Sequence, residues 1–385
     1  MRLSIEGGTA LTEDRLGETA VLLDDDRIDT VGRESAGNAR RFDARGLLVL
    51  PGLVDIHGDS FERQIQPRPG IGFPMDIALL DTDRQMTAAG FTTAFHAVTL
   101  SWEPGLPSIG TARSVIDTVE ALRPRLSCDT RLHIRWETYA LDHVDELDGW
   151  LADRRVDLLA INDHFPEMMA KADRPDSLGK HAGRAGQSTA EYRADLDKLA
   201  GRETEVAPAK ARLIARARAA SLAVASHDEK DPALRQAHHA MGCHICEFPM
   251  NRETAAASVV LGDPVVMGAP NVVRGGSHNK MIEAAPLVCE GLCTVLASDY
   301  YYPTLAVAPF VLAQRYGMAL EAAWRVCSTN PARAAGFEDR GELAPGQRAD
   351  IVLVDATRPD APRVVATFVG GRPAFQTPDA FARFH

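Results

Sequence analysis

The sequence predicts an α/β protein: a (β/α)8 TIM-like barrel joined to a small β-sandwich module built from both chain termini. Three observations predict it. Between residues 51 and 337, eight short apolar runs alternate with helical patterns, the arrangement of a parallel sheet with crossover helices. The two ends instead carry strand-like pieces separated by Gly- and Asp-rich turns, too few on either side to close a sheet alone. Finally, 385 residues exceed the roughly 250 of a typical barrel by enough for a second, smaller module.

The composite module is expected over 1–50 plus 338–385 and the barrel over 51–337. Residues 2–5, 19–23 and 27–31 read as strands at the front, and 350–355 and 364–369 at the back; chain termini that lie close together can pair. Barrel strands are expected at 53–57, 92–98, 131–136, 157–161, 221–226, 244–248, 264–267 and 294–298. Near-continuous apolar runs of this length suit strands covered on both faces. Helices are expected at 76–89, stopped by Gly90, at 111–122 before Pro124, and at 190–219. The longest polar insertion, about 166–210, interleaves Gly179, Gly183 and Gly186 with Lys171, Arg174, Lys180, His181 and Arg184. It reads either as a flexible basic lid following a site strand or as a solvated surface excursion.

Composition is ordinary for a globular protein, 45% hydrophobic and 25% charged, so a sizeable core can be buried. A net charge of −11 and a pI near 5.6 exclude a nucleic-acid or anionic-membrane surface. A small anionic partner remains compatible, because bound metal and a few arginines reverse the sign inside a pocket. The first residues lack the charged and apolar regions of a signal peptide, and no apolar run reaches the roughly 18 residues of a membrane span. A cytoplasmic location is therefore expected, and assembly into a homo-oligomer is left open. Six scattered cysteines suit a reducing compartment. Cys243-His244-Ile245-Cys246 has no second C-x-x-C to complete a zinc site and reads as structural.

In a parallel barrel the C-terminal strand ends form one rim, where reactive side chains gather. The run Pro51-Gly52-Leu53-Val54-Asp55-Ile56 stops in His57-Gly58-Asp59, and the same pattern recurs at Glu137, His164, His227 and Asp299. An H-x-D pair alone is weak, but six metal-competent groups on one rim point to a metal site. The mixture of imidazoles and carboxylates suits two divalent ions, zinc first, with manganese or iron as alternatives. Two such ions activate water at neutral pH, and Asp299 is the residue assigned to orient the nucleophile and take its proton.

These features resemble the amidohydrolase superfamily, with Asn330-Pro331-Ala332 and Gly346-Gln347-Arg348-Ala349-Asp350 adding to the likeness. Within it the chain is most similar to the phosphonate-degrading diphosphatases of the carbon–phosphorus lyase pathway. That likeness rests on His57-Gly58-Asp59-Ser60-Phe61-Glu62, Pro67-Arg68-Pro69-Gly70, His133-Ile134-Arg135-Trp136-Glu137, Glu247-Phe248-Pro249 and, above all, the block from Met267 to His278. The resemblance implies hydrolysis of the α–β phosphoanhydride of a ribose 5-triphosphate bearing a 1-methylphosphonate, with release of diphosphate. His57, Asp59, Glu137, His164, His227 and Asp299 are then the metal ligands, Glu137 bridging. Arg68, Arg135 and Arg274 are the guanidinium candidates for phosphate oxygens, joined by Gly275, Gly276, His278 and Lys280. The chain departs from the family pattern at Phe165-Pro166-Glu167-Met168 and at Asn279-Lys280-Met281, where Glu167 would repel a phosphate unless a lysine offsets it. Two other readings stand beside this one: hydrolysis or deamination of a cyclic amide or heterocycle, and a non-catalytic, metal-stabilised component of a phosphonate-processing assembly.

Overall fold

The structure is a computed structural model and describes residues 2–13, 15–32, 37–68, 70–276 and 282–385. The chain opens with β1 (Arg2–Thr12), β2 (Arg15–Asp24), β3 (Arg27–Val31), β4 (Arg40–Asp43) and β5 (Leu48–Pro51). Eight barrel strands follow: β6 (Leu53–Gly58), β7 (Phe91–Leu100), β8 (Asp129–Glu137), β9 (Leu158–Asn162), β10 (Ala223–His227), β11 (Ile245–Glu247), β12 (Val265–Gly268) and β13 (Val295–Ala297). The chain ends with β14 (Ile351–Asp355), β15 (Arg363–Val369) and β16 (Arg372–Gln376).

The strands of both termini share one mixed sheet of order β16-β15-β14-β5-β1-β2-β3, with β4 beside β1. The junction is antiparallel pairing of β5 with β14, Leu50 facing Val352. Neither end could bury its apolar face alone; together Leu3, Ile5, Val21, Phe42, Val49, Ile351, Leu353 and Phe368 form one core.

β6 to β13 pair in chain order, each neighbour parallel to the next. All eight coincide with the expected runs, so Glu137 does end the third barrel strand and His227 the fifth. The ring closes where β13 meets β6: the Asp299 N–H donates to the His57 carbonyl at 2.9 Å, and the Asp59 N–H to the Asp299 carbonyl at 3.0 Å. Asp55 staples this seam from within, its carboxylate accepting the Ser298 N–H at 3.0 Å and the Ser298 hydroxyl at 2.5 Å. Burial, with help from Asp59, raises the Asp55 carboxyl to about 6. Here Gly58 is required, because a Cβ would fall 2.6 Å from Asp55 Oδ2. Val54, Ile56, Phe95, Leu158, Ala160, Ile245, Val266 and Val295 fill the interior, which makes the barrel a packed core that presents reactive groups only at its rim. Among the described residues no helix is long and apolar enough to cross a membrane.

The insertion, for which a flexible lid and a solvated surface excursion were both open, is largely helical. It forms helices Phe165–Lys171, Pro175–Ala185 and Thr189–Ala200, followed by Glu203–Ala219. The expected helix at 190–219 is thus two, interrupted at Gly201 and Arg202, and Glu203 and Glu205 begin the second with favourable first-turn charge. Tyr192, Leu196 and Leu199 recur at helical spacing and pack with Phe165 and Ala182 into a small core of their own. A reciprocal Ser188–Glu191 cap starts the third helix, and the Tyr192 hydroxyl donates to Glu103 at 2.8 Å, tying the insertion to the barrel.

Candidate metal centre

Two clusters of ligating groups meet inside the rim. The deeper one joins His57 of β6, His133 of β8 and Glu247 of β11, all buried. His133 Nδ1 lies 3.0 Å from the Ile56 carbonyl, which can only accept, so Nδ1 carries the proton and Nε2 a lone pair. Burial pushes this imidazole down to about 3, keeping it neutral. Its Nε2 lone pair therefore faces Glu247 Oε2 across 3.8 Å, acceptor against acceptor. Glu247 Oε1 is 3.0 Å from His57 Nδ1, but poorly angled: neither carboxylate oxygen has a hydrogen-bond partner, and Glu247 is wholly buried. Burial also holds His57 well below its ordinary value. Two neutral imidazoles around an unpaired buried carboxylate are a donor set that suits a divalent cation.

The outer cluster holds His164, His227 and Asp228. His164 Nε2 is 2.9 Å from Asp228 Oδ2, and His227 Nδ1 is 3.1 Å from the same oxygen. On its far side His164 Nδ1 meets Glu137 Oε1 at 2.6 Å. Burial alone would lower the His164 pKa, but the Asp228 and Glu137 carboxylates outweigh it and hold the ring near 10. Asp228 is raised by burial yet held well below the carboxylate range by His227 and His164. The His57 and His227 rings stand 5.5 Å apart, so the clusters adjoin, and Phe248 packs against both rings at 4.9 and 5.1 Å.

Asp59 and Asp299 border the clusters at the seam. Asp59 Oδ2 accepts from Arg135 Nη1 at 3.3 Å. Burial, then the neighbouring Asp59, pushes the Asp299 carboxyl up to about 7. Asp228, Phe248 and Asp299 all have left-handed backbones, with φ of 55°, 51° and 55°. Left-handed backbone is tolerable for aspartate but an outlier for phenylalanine, the kind of local strain that collects at functional sites.

Of the six ligands read from the sequence, His57, Asp59, His164, His227 and Asp299 line one cavity of about 360 Å3. Glu137 lies behind His164 and opens on a neighbouring cavity of about 950 Å3, with Arg135, His164 and Glu167 shared between the two. Arg135, Arg274 and Gly276 line the smaller cavity, where Arg274 donates to the Tyr300 hydroxyl at 3.2 Å. Gly275 adjoins them as the left-handed C-cap of helix Ala269–Arg274, with φ 77°. Arg68 is exposed and lines the larger cavity. His278 and Lys280 lie outside the described residues. Glu167 is ion-paired with Lys171, which lowers its carboxyl and offsets its repulsion toward a phosphate. Sequence reading missed His133, Glu247, Asp228 and Lys230. His133 sits on the same strand face as Arg135 and Glu137, a parity that marks it, whereas nothing local marks Glu247.

Residues 179–378 match the model of the family described as Amidohydrolase family. The α-D-ribose 1-methylphosphonate 5-triphosphate diphosphatase of Escherichia coli (strain K12) is 33% identical over 319 residues, covering 81% of this chain and 84% of that one. An adenine deaminase of Methylobacterium sp. (strain 4-46) is 50% identical over 134 residues, but these are 32% of this chain and 23% of that one. Among solved structures, a β-aspartyl dipeptidase from Fervidobacterium islandicum AW-1 superposes with a TM-score of 0.64 at 15% identity, covering 98% and 97% of the two chains, a likeness of fold alone.

Proposed function

Since the chain belongs to the amidohydrolase family, we propose that it is a metal-dependent hydrolase that cleaves the α–β phosphoanhydride of α-D-ribose 1-methylphosphonate 5-triphosphate and releases diphosphate in the cytoplasm. The observation that carries this reading is the extent of the resemblance: it spans 84% of the diphosphatase but 23% of the adenine deaminase. His57, His133 and Glu247 would hold one divalent ion, and His164, His227 and Asp228 a second, with Asp59 and Asp299 beside them. When bound, ions in such a donor set supply Lewis acidity and an activated water at neutral pH.

The chain's own residues supply the rest. Asp299, held near neutrality, accepts the proton of the attacking water. Gly268 leaves room for it, since a Cβ there would lie 3.0 Å from Asp299 Oδ2. Glu137 fixes the His164 ring from behind, an orienting role in place of a bridging one. Arg135, Arg274 and Lys230 surround the same cavity and neutralise charge on the departing diphosphate. Arg68, in the larger cavity, is placed for the opposite, phosphonate-bearing end of the substrate.

The test is turnover by zinc-reconstituted protein of the ribose substrate, a nucleoside triphosphate and adenine, followed by phosphorus NMR and absorbance. Diphosphate released from the ribose substrate and abolished by chelation is expected. No release from protein verified to hold two ions would overturn the proposal, and turnover of adenine would replace it with deamination.

A further inference from the structure

We propose a separate divalent-cation site, suited to zinc, formed by His239, His244 and Asp263 at the opposite end of the barrel from the rim. His239 lies in the last turn of helix Pro232–Met241, His244 just precedes β11, and Asp263 just precedes β12. All three are therefore at the N-terminal ends of the strands.

The two imidazoles address different oxygens of one carboxylate. His239 Nδ1 is 2.7 Å from Asp263 Oδ2, and His244 Nδ1 is 3.4 Å from Oδ1. The rings stand 4.9 Å apart at 77°, and the three donor atoms lie within 4.8 Å of one another. In tetrahedral zinc, bonds of about 2.0–2.1 Å place donors on adjacent corners about 3.4 Å apart. His244 and Asp263 already have that spacing, and His239, now hydrogen-bonded to Asp263 at 2.7 Å, would have to leave that bond to ligate. An ordinary His–Asp pair accounts for His239; it does not account for a second imidazole over the other oxygen.

The surroundings suit an ion. The Asp263 side chain is 4% exposed, while His239 and His244 are 31% and 55% exposed, so the carboxylate is preorganised and the ion has an open approach. The carbonyls ending helix Pro232–Met241 add the negative end of its dipole. Arg235 Nη2 stands 3.5 Å from Oδ2 but donates to the Cys243 carbonyl, leaving Oδ1 toward His244. The nearby Cys243 and Cys246 do not contribute: both are buried, and burial pushes the Cys243 thiol up to about 12. An ion here would clip together a helix and the approaches to two strands.

Wild-type protein, the His239→Ala/His244→Ala variant and the half-exposed single variant His244→Gln are to be dialysed against micromolar buffered zinc, counted by mass spectrometry of the metal, and melted with and without chelator. Wild type is expected to retain one zinc more than either variant and to gain more in melting midpoint from zinc. His244→Gln is expected to melt with wild type in chelator, the double variant somewhat lower because Asp263 loses its 2.7 Å partner His239, and all three to turn over alike. Equal zinc content in wild type and His244→Gln would overturn the site.

Discussion

Replacing Glu247 by glutamine distinguishes a carboxylate that holds a cation from one that merely packs. Without metal, both oxygens of this wholly buried side chain lack hydrogen bonds, and one confronts the His133 lone pair at 3.8 Å. A buried polar group left unsatisfied costs about 1–3 kcal/mol. Glutamine keeps the shape, removes the charge and can turn an N–H toward His133. The metal-free variant should therefore be more stable than wild type by ~1–3 kcal/mol. Unfolding entropy of about 2.1 cal/mol/K per residue gives about 0.8 kcal/mol/K for 385 residues, so the midpoint should rise by about 1–4 °C. With zinc the order should invert, because a ligand is gone and affinity should fall beyond the roughly 10–100-fold typical of an outer-shell partner. Calorimetry in chelator and in buffered zinc reads both arms. A variant that melts below wild type in chelator and retains its zinc would refute the reasoning and make Glu247 a packing residue.

Asp299→Asn should lower kcat by about 10²–10⁴-fold with metal content and KM little changed; near-wild-type kcat in a metal-checked variant would remove the proton-accepting role. Arg274→Met forfeits a charge-assisted hydrogen bond worth about 1.5–3 kcal/mol, a loss of about 10–100-fold in kcat/KM on phosphorylated substrate. An uncharged amide, if turned over, should be unaffected, so equal losses on both would argue for a structural arginine. Away from the site, burial raises the Asp129 carboxyl, but Arg131 at 2.9 Å and Arg340 at 2.7 Å outweigh it and hold it at about 2, below its unfolded value. Its contribution of about 2 kcal/mol is then present above pH ~4 and lost as pH falls toward 2. Asp129→Asn should lose it at neutral pH and show a shallower acid decline, and an unchanged urea midpoint at pH 7 would contradict this.

The barrel was legible because strands covered on both faces must be apolar throughout, so even β11 and β13, three residues each, stood out within longer runs. Five of the six side chains read from the sequence as rim ligands line one cavity for the same reason: where an apolar strand stops, its next polar side chain enters the mouth. His133 was hidden because it lies four residues inside β8, below the rim. Glu247 was hidden because a glutamate beside Phe248 and Pro249 looks like any strand end until its missing hydrogen bonds are seen. The first part of the insertion was hard to read because glycines at 179 and 183 obscure its helix, while the apolar spacing of Tyr192, Leu196 and Leu199 marks the helix expected from 190. The cluster of His239, His244 and Asp263 spans three elements, and no local pattern announces it.

The seam between β6 and β13 also sets an order of events in biogenesis. Asp55 and Ser298 are 243 residues apart, so His57 emerges from the ribosome long before the strand that closes the barrel around it. Contacts so distant in sequence form late, after the entropy of closing the intervening chain has been met. Glu247 and Asp299 are likewise late arrivals, so an incomplete chain presents His57 and His133 without the acids that share their end of the barrel. If the proposed ions bind, their loading should follow ring closure, and a truncated product should lack a complete donor set.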